Sequence, residues 1–502
     1  MASSGETILV LDAGTTSTRA MLFAPDGSVL ATAQRPIGQH YPQPGWVEHD
    51  AAEIWRETLA CARRALEIGG GARNVAAIGI TNQRETVVAW DRQTGEPLHR
   101  AIVWQDRRTA DTCLALRVSG VEADVQARTG LLLDPYFSAT KMRWLLDHVP
   151  AVREAAATGR LAFGTIESWL TFKLTGGAHV SDASNASRTS LLALTGTTWD
   201  DGLCDLFGIP RAALPEVTDN AGNFATCLPE WFGHRLPIAG LAGDQQAATI
   251  GQACLAPGET KATFGTGAFV LANRGQTVPR SRHRLLGTVL YQLQGVRTYA
   301  LEGSVFVAGS LVQWLRDSLG IVASAAETEA LARSVNDSGG VVIVPAHVGL
   351  GAPHWQPEAR AAITGLSFAS GRAQLVRAAL EAMACQTQDL AEAFAADGAA
   401  WTRLRLDGGM SANDWIAQDL ADMLNLPVER PDFVETTALG AAMLAGVGCG
   451  LFATLGDAAS AMRGPVRHFS PEMDPITRSA RMGAWHRALA AVRQFSGKSA
   501  ET

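Results

Sequence analysis

The chain has 502 residues, of which 47% are hydrophobic and 18% are charged, and its net charge is -7. A single hydrophobic core rarely extends beyond about 250–300 residues, so we expect at least two domains, and the ordinary apolar fraction excludes disorder as the main state. The 42 basic and 49 acidic residues nearly balance, so no large positive field is available to attract nucleic acid or a membrane surface.

The seven cysteines are dispersed as single residues, without a CxxC pair or a Cys/His cluster. This usage is typical of the reducing cytosol and argues against a disulfide framework or structural zinc. Residues 1–7 contain neither a basic segment nor an apolar core, so we expect no signal peptide and a cytoplasmic location. Residues 436–456 are uncharged and long enough to imitate a membrane span, but their Ala- and Gly-rich composition favours a buried helix.

The first half of the chain begins with short strands and turns. Strands are predicted over residues 8–12, 18–23 and 28–34, with a glycine turn at 14–17. An amphipathic helix over 50–68 and strands over 74–81 and 85–90 follow. Strands and helices then alternate, which is typical of an α/β fold.

The second half begins near residue 259 with a similar pattern. Strands over 259–264 and 268–273 flank another glycine turn, which indicates two similar halves with a boundary near 250–258. Further along we predict a helix over 303–319, a strand over 341–345, a helix over 372–395, a strand over 404–406 and helices from 413 to 424 and from about 437.

The turn after the first strand has the composition of a phosphate site. Asp12 ends the strand, Thr15, Thr16 and Ser17 offer hydroxyl and backbone N–H groups, and Arg19 follows on the next strand. Such a turn can bind phosphate oxygens while Asp12 holds Mg²⁺ through water. A solvated hairpin with ordinary turn chemistry is the alternative. No Walker A motif and no strand-led GxGxxG motif is present.

Two further glycine turns follow predicted strands in the second half, at residues 265–267 and 407–409, with Asn413 shortly after. Glycines there would let a base or ribose approach the backbone. Together the three turns predict a phosphate site between two halves.

Polar and aromatic residues also gather at predicted strand ends. Arg84 and Glu85 suit a polyhydroxylated ligand, whereas for aromatic residues such as Trp104 and Tyr136 core packing is the commoner role. Asp244 follows an apolar segment and is either a helix N-cap or a general base for a hydroxyl nucleophile.

In combination these segments resemble the FGGY family of carbohydrate kinases, over residues 8–493. The resemblance rests on DAGTTSTR (12–19), YPQPGWVEHD (41–50), GITNQRET (79–86), IVWQDRRT (102–109), DPYFSATK (134–141), NASRT (185–189), GDQQAA (243–248), FGTGAF (264–269), GLGAPHW (349–355), DGGMSAND (407–414) and TALGAA (437–442). The NQRE, WQDRR and DPYFS segments are most similar to members that phosphorylate glycerol.

The resemblance implies an α/β fold of two RNase H-like domains of the actin/hexokinase/Hsp70 superfamily around a central cleft. Residues 1–253 would bind the polyol and carry the phosphate turn, and residues 254–502 would bind the nucleotide. The implied reaction is in-line transfer from ATP, with Mg²⁺ and domain closure, to glycerol, giving sn-glycerol 3-phosphate in glycerol catabolism. By analogy the protein would be a homo-oligomer, a dimer.

The resemblance also implies residue roles. The nucleotide and its phosphates would contact Thr15, Thr16, Ser17, Arg19, Thr266, Gly309, Gln313, Gly409 and Asn413. Glycerol would contact Arg84, Glu85, Trp104, Tyr136, Asp244, Gln245 and Phe269. Asp244, Asp12 and Arg19 would be catalytic, with Asp244 as the base and Asp12 as the metal ligand, through water.

Some positions depart from the family pattern. Ala13 stands where Gln is usual, and Glu167 replaces an Asp. Residues 230–235 lack the Gly/Lys-rich run associated with feedback by a sugar phosphate, so we do not expect that regulation. Two other functions stay open: a kinase for another polyol or ketose, such as erythritol or a pentulose, and a catalytically idle, nucleotide-gated binding protein.

Overall fold

The computed structural model describes residues 6–497. Residues 1–5 and 498–502 lie outside the described residues. The expectation that the chain has no signal peptide concerns residues 1–7, so most of that segment is not described. Within the described range no helix is both long and apolar enough to cross a membrane.

The elements of the first half alternate as the sequence predicts. The strands are β1 (Thr7–Ala13), β2 (Ser17–Phe23), β3 (Val29–Pro36), β4 (Glu48–His49), β5 (Val75–Asn82), β6 (Val88–Asp91), β7 (Ala101–Ile102), β8 (Leu161–Gly164), β9 (Val180–Asp182), β10 (Glu216–Thr218), β11 (Ala221–Thr226) and β12 (Pro237–Gly243). The helices are α1 (Ala51–Ile68), α2 (Ala110–Val118), α3 (Glu122–Thr129), α4 (Ser138–His148), α5 (Pro150–Ala157), α6 (Ile166–Thr175), α7 (Ala183–Ala186), α8 (Asp201–Phe207), α9 (Pro229–Phe232) and α10 (Asp244–Gly251).

The second half begins at residue 259. Its strands are β13 (Glu259–Phe264), β14 (Ala268–Gly275), β15 (Leu286–Leu293), β16 (Val296–Val305), β17 (Val342–Val344), β18 (Ala362–Thr364), β19 (Arg403–Asp407), β20 (Val428–Pro431) and β21 (Val466–Phe469). Its helices are α11 (Gly309–Asp317), α12 (Glu327–Arg333), α13 (Arg372–Ala396), α14 (Asp414–Leu424), α15 (Thr436–Gly448), α16 (Leu455–Met462) and α17 (Pro475–Gly497). Short 3-10 turns cover Arg211–Ala213 and Gly409–Ala412.

The two large sheets repeat one arrangement of five strands. The first contains β3-β2-β1-β5-β12, in which β3, β2 and β1 are antiparallel neighbours and β1, β5 and β12 are parallel. The second contains β16-β14-β13-β19-β20 with the same order and the same senses. This repeat confirms the predicted fold of two RNase H-like domains.

The parallel strands bring the predicted site segments to one edge of each sheet. Ala13 pairs with Asn82, and Asn82 pairs with Gly243, so the ends of β1, β5 and β12 are aligned. In the second sheet Thr263 pairs with Asp407. Ligand sites in open α/β sheets lie at the carboxyl ends of such strands.

Successive side chains of β1 point to opposite faces of the first sheet, so the core of the first half has two parts. Leu9 and Leu11 pack with α1 and α6, whereas Ile8 and Val10 pack with α10, α15 and α16. Helix α15 belongs to the second half in sequence but covers the first sheet, which explains why residues 436–448 carry no charge. A Cβ on Gly240 would lie 2.4 Å from the backbone N of Ala445, so only glycine permits this approach.

Two predicted elements are wrong in extent. Residues 303–305 continue β16 instead of starting a helix, because they pair with β14, and α11 begins only at Gly309. The strand predicted from residue 85 begins at Val88, since Glu85 adopts a left-handed φ of 60°. The other predicted elements are present within a few residues.

Candidate active site

The turn between β1 and β2 is tight and carries an ion pair. The N–H of Gly14 donates to the carbonyl of Ser17 over 3.0 Å. Arg19 lies opposite Asp12 in the hairpin register, and its Nη2 donates to Oδ2 of Asp12 over 2.6 Å. Nη1 of Arg19 donates to Oε2 of Glu435, just before α15. Burial raises the pKa of Asp12 although Arg19 opposes the shift.

Arg84 is the centre of a buried polar cluster beyond the end of β5. It is 3% exposed. Its Nη1 donates to Oε2 of Glu302 over 2.6 Å, and its Nη2 donates to the hydroxyl of Tyr136 over 3.1 Å. Its Nε lies 3.3 Å from Oδ1 of Asp244. The predicted polyol residues Arg84, Tyr136 and Asp244 therefore meet in the folded chain.

A second arginine completes this cluster. Arg188 donates from Nε to Oε1 of Glu85 over 2.6 Å and from Nη2 to Oε1 of Glu302 over 3.1 Å. Burial alone would raise the pKa of Glu302, but Arg188 and Arg84 lower it to about 2. Glu302 is fully buried and belongs to β16 of the second sheet, so this cluster joins the two halves.

Asp244 is the first residue of α10, and its side chain is 32% exposed. Its Oδ1 accepts from the backbone N–H of Gln245 over 2.6 Å, and among residues 6–497 no group donates to Oδ2. Burial raises the pKa of Asp244 to about 6; Arg84 and Lys261 oppose the shift and Glu85 adds to it. Such a carboxylate can accept a proton from a hydroxyl near neutral pH.

An aromatic wall lies beside the polar cluster and reaches both halves. The ring of Trp104 makes edge contacts with Tyr136, at 5.6 Å between centroids, and with Phe269 of β14, at 6.5 Å. Nε1 of Trp104 donates to Oγ1 of Thr15 over 3.0 Å. This hydrogen bond links the predicted polyol wall to the predicted phosphate turn.

Glycine-rich segments of the second half also come together. The N–H of Gly309 donates to the carbonyl of Gly265 over 2.9 Å, and a Cβ on Gly309 would lie 2.5 Å from that oxygen. Gly408 has a φ of 86°. A Cβ on Gly409 would meet no atom within 4 Å, so its backbone borders open space that suits a flat ligand.

The remaining predicted nucleotide residues lie around these segments. Thr16 and Gln313 are exposed, and the carbonyl of Thr266 accepts from the N–H groups of Ala308 and Ser310. Ser17 accepts from Gln34.

The side chain of Asn413 has protein partners on both ends of its amide. Its Oδ1 caps α14 by accepting from the N–H of Ile416, and its Nδ2 donates to Thr328.

Four charged residues at this site were not predicted from the sequence: Arg188, Lys261, Glu302 and Glu435. Lys261 is fully buried on β13 and donates to Oε1 of Gln245 over 2.6 Å. The signal for Glu302 was a lone charge inside the apolar run 299–305, and Lys261 was one of only four lysines. Neither pattern identifies the partner.

The oxygen atoms and the open space at this site suit a nucleotide with a hard divalent cation. Oδ1 of Asp12 receives no hydrogen bond from any described residue, so a carboxylate oxygen is left for Mg²⁺ or a water bound to it. The open backbone at Gly409 and the neighbouring glycine turns provide room for a phosphate chain and a base.

Comparisons with known proteins define the class. The model of the FGGY family of carbohydrate kinases, N-terminal domain, matches residues 7–251, and that of the C-terminal domain matches residues 260–449. The chain belongs to the FGGY family of carbohydrate kinases.

The names of individual relatives are more specific than the name of the family. A glycerol kinase of Rhodospirillum centenum is 56% identical over 489 residues, covering 97% of this chain and 98% of that protein. A glycerol kinase of Methylobacterium nodulans is 55% identical over 488 residues, covering 96% and 97%. The crystal structure of Plasmodium falciparum glycerol kinase with ADP has a TM-score of 0.93 and 35% identity, covering 98% of this chain and 99% of that chain. The structure of xylulose kinase from Rhodospirillum rubrum has a TM-score of 0.87 and 26% identity, covering 98% and 100%.

Proposed function

We propose that the protein is an ATP-dependent glycerol kinase, which forms ADP and sn-glycerol 3-phosphate in glycerol catabolism. Relatives named glycerol kinase that are 52–56% identical over almost the whole chain support this activity. The observation that carries the proposal is the contact of Arg84 with Asp244 and Tyr136, beside a wall whose Trp104 is bonded to the turn at Thr15.

The proposed polyol-binding residues, most of them in the first half, divide into two sets. Arg84, Glu85, Tyr136 and Gln245 bind the hydroxyls, while Trp104 and Phe269 pack against the carbon chain and limit its length. Asp244 orients the attacking hydroxyl and accepts its proton late, since a loose transition state needs positioning and charge stabilisation more than a strong base.

The glycine turns of the two halves bind the phosphates in this proposal. Thr15, Thr16 and Ser17, with Thr266 from the second half, donate to phosphate oxygens, and Arg19 neutralises charge as it develops. Gly309, Gln313, Gly409 and Asn413 border the rest of the nucleotide. Asp12 would hold Mg²⁺ through water, and the ion would supply charge stabilisation to the phosphate oxygens.

The larger organisation is part of the same proposal. Residues 1–253 and 254–502 form the polyol-binding and nucleotide-binding domains, which close on each other and exclude water. We propose a dimer in the cytoplasm; light scattering of the purified protein tests the dimer.

ADP release by purified protein with Mg²⁺-ATP tests the function. Glycerol, dihydroxyacetone, erythritol, xylulose and ribulose are compared with a blank without substrate. We expect selective turnover of glycerol. Turnover of xylulose or erythritol instead would make this chain a kinase for that substrate, and no response to any of them would favour a binding protein.

The matched control is Asp244→Asn, which keeps the size of the side chain and removes the base. We expect a loss of several orders of magnitude in kcat, on the scale of about 10²–10⁴ for general base catalysis, with glycerol still bound. Near-normal turnover would remove Asp244 from the base role.

A further inference from the structure

Lys261 is a buried cation on the second sheet that points at the polyol side of the site. Its Nζ donates to Oε1 of Gln245 over 2.6 Å and to Oγ1 of Thr263 over 2.8 Å. The residue is fully buried, although lysine is rarely so unless it is paired. Gln245 follows Asp244 at the start of α10, in the other half of the molecule.

The contact determines which end of the Gln245 amide is available. An amide has one acceptor oxygen and two N–H donors, and a lysine ammonium can only donate. Because Lys261 is bonded to Oε1, Nε2 is the end of the amide left for a ligand. Among described residues nothing accepts from that Nε2, so its two N–H groups are free for a hydroxyl oxygen.

Lys261 also interacts electrostatically with the charged residues around it, including Asp244. Asp407, Asp244, Arg84 and Glu302 all act on it, and burial lowers its pKa while Asp407 and Asp244 oppose that shift. In return, Lys261 and Arg84 favour the ionised form of Asp244, against burial and Glu85. The lysine therefore acts on two consecutive residues of α10, Asp244 and Gln245.

We propose that Lys261 is a positioning residue for the polyol: it orients Gln245 as a hydrogen-bond donor to a substrate hydroxyl and supports the carboxylate of Asp244 from the opposite half. This inference rests on the proposed function. It makes recognition of the polyol depend on the apposition of the two halves, since neither half alone holds Gln245 in this orientation.

The test is Lys261→Met, which approximately keeps the length of the side chain and removes its charge and its hydrogen-bond donors. We expect the glycerol KM to rise about tenfold or more, the loss typical of a charge-assisted hydrogen bond, while the ATP KM changes less than about threefold. The acid limb of kcat/KM against pH should move to higher pH by about half a unit or more, because the positive charge that favours the ionised form of Asp244 is gone. A purely structural role would not move that limb.

Lys173→Met is the matched control, since Lys173 lies away from this site and donates to the carbonyl of Gly95. It should change neither KM nor the acid limb. Gln245→Met provides a second route if Lys261→Met does not fold: the glycerol KM should rise, and the acid limb should stay because Lys261 is retained.

The double variant Lys261→Met/Gln245→Met should raise KM less than the product of the two single effects, because both remove the same contact. Multiplicative effects on KM, an unchanged KM in Gln245→Met, or an unmoved acid limb in a folded Lys261→Met would overturn the inference. Wild-type protein assayed in parallel separates the two proposals: inactivity with glycerol contradicts the proposed function, whereas activity with no response to these variants contradicts only the role of Lys261.

Discussion

Arg84 and Glu302 form a two-point ion pair that joins residues 218 positions apart: Nη1 lies 2.6 Å from Oε2, and Nη2 lies 3.1 Å from Oε1. Arg84 follows β5 of the first sheet, whereas Glu302 lies on β16 of the second. Because Arg84 also contacts Asp244 and Tyr136, the orientation of the proposed polyol-binding arginine depends on a residue from the other half.

Glu302→Gln should therefore weaken both the fold and the site. The substitution keeps the shape but leaves Arg84 and Arg188 buried with less negative charge, a loss of about 3 kcal/mol in the free energy of unfolding. We expect the glycerol KM to rise about tenfold or more, since the guanidinium is no longer held in place. Steady-state kinetics and urea unfolding measure the two effects.

Glu429→Gln is the matched control, because Glu429 is also buried and is bonded to arginines, namely Arg403, Arg405 and Arg463. It should lower stability without changing the glycerol KM. An equal rise of KM in both variants would mean that Glu302 acts only through general stability.

The pH dependence of catalysis should report Asp244. Its pKa is raised to about 6, and the base form is the ionised one, so kcat/KM should be constant above that pH and fall as the carboxylate protonates. We expect about a tenfold decrease per pH unit below 6. A profile of kcat/KM that stays flat down to pH 5, with circular dichroism showing intact protein, would contradict the assignment.

Gly409→Ala should separate nucleotide binding from folding. A Cβ there meets no protein atom within 4 Å, so stability should be unchanged, but the methyl group would occupy space assigned to the nucleotide. We expect the ATP KM to rise about tenfold with an unchanged glycerol KM, as overpacking of a contact surface costs about 1–3 kcal/mol. Gly464→Ala, where a Cβ also meets nothing, is the control and should leave both values as they are. An unaltered ATP KM would place the nucleotide elsewhere.

Trp104→Ala should relax the choice of substrate. The ring forms the middle of the wall between Tyr136 and Phe269, and its removal makes room for a longer carbon chain. The ratio of kcat/KM for erythritol to that for glycerol should rise about tenfold, the scale of discrimination by one carbon group in an apolar pocket. Trp104→Phe keeps a ring in place and should preserve the ratio; a ratio that also stays constant in Trp104→Ala would exclude the wall from selectivity.

Glu167→Gln should change how stability depends on pH. Glu167 is fully buried, and burial followed by the charge of Asp182 raises its pKa above the ordinary value of 4.5. As pH rises through 4.5 the unfolded chain loses this proton while the folded chain keeps it, so the contribution of Glu167 to stability decreases.

The glutamine can still accept from Thr165 and Ser181, which donate to Oε1 of Glu167. The variant should therefore gain stability relative to wild type at pH 8 compared with pH 5.5, as read from urea midpoints. The same difference at both pH values would show that Glu167 is ionised in the folded protein.

The local features of the site were predictable from the sequence. The glycine turn after Asp12, the polar residues after β5 and the carboxylate at the start of α10 lie at the ends of parallel strands, as expected from apolar runs followed by turn residues. The helix predicted over 303–319 was wrong because Gly303, Ser304 and Val305 are held in the sheet by β14. Pairing with a distant strand outweighed the local pattern there.

The class of fold and the order of most elements could be predicted from periodicity and turn chemistry. The residues that resemble those of the FGGY kinases could be recognised from motifs within short windows. Three features are seen only in the folded chain: Glu302 pairs with Arg84 and Arg188, Lys261 donates to Gln245, and α15 covers the sheet of the other half. These contacts join residues far apart in the chain, and packing between the two halves selects the partners, which no local pattern encodes.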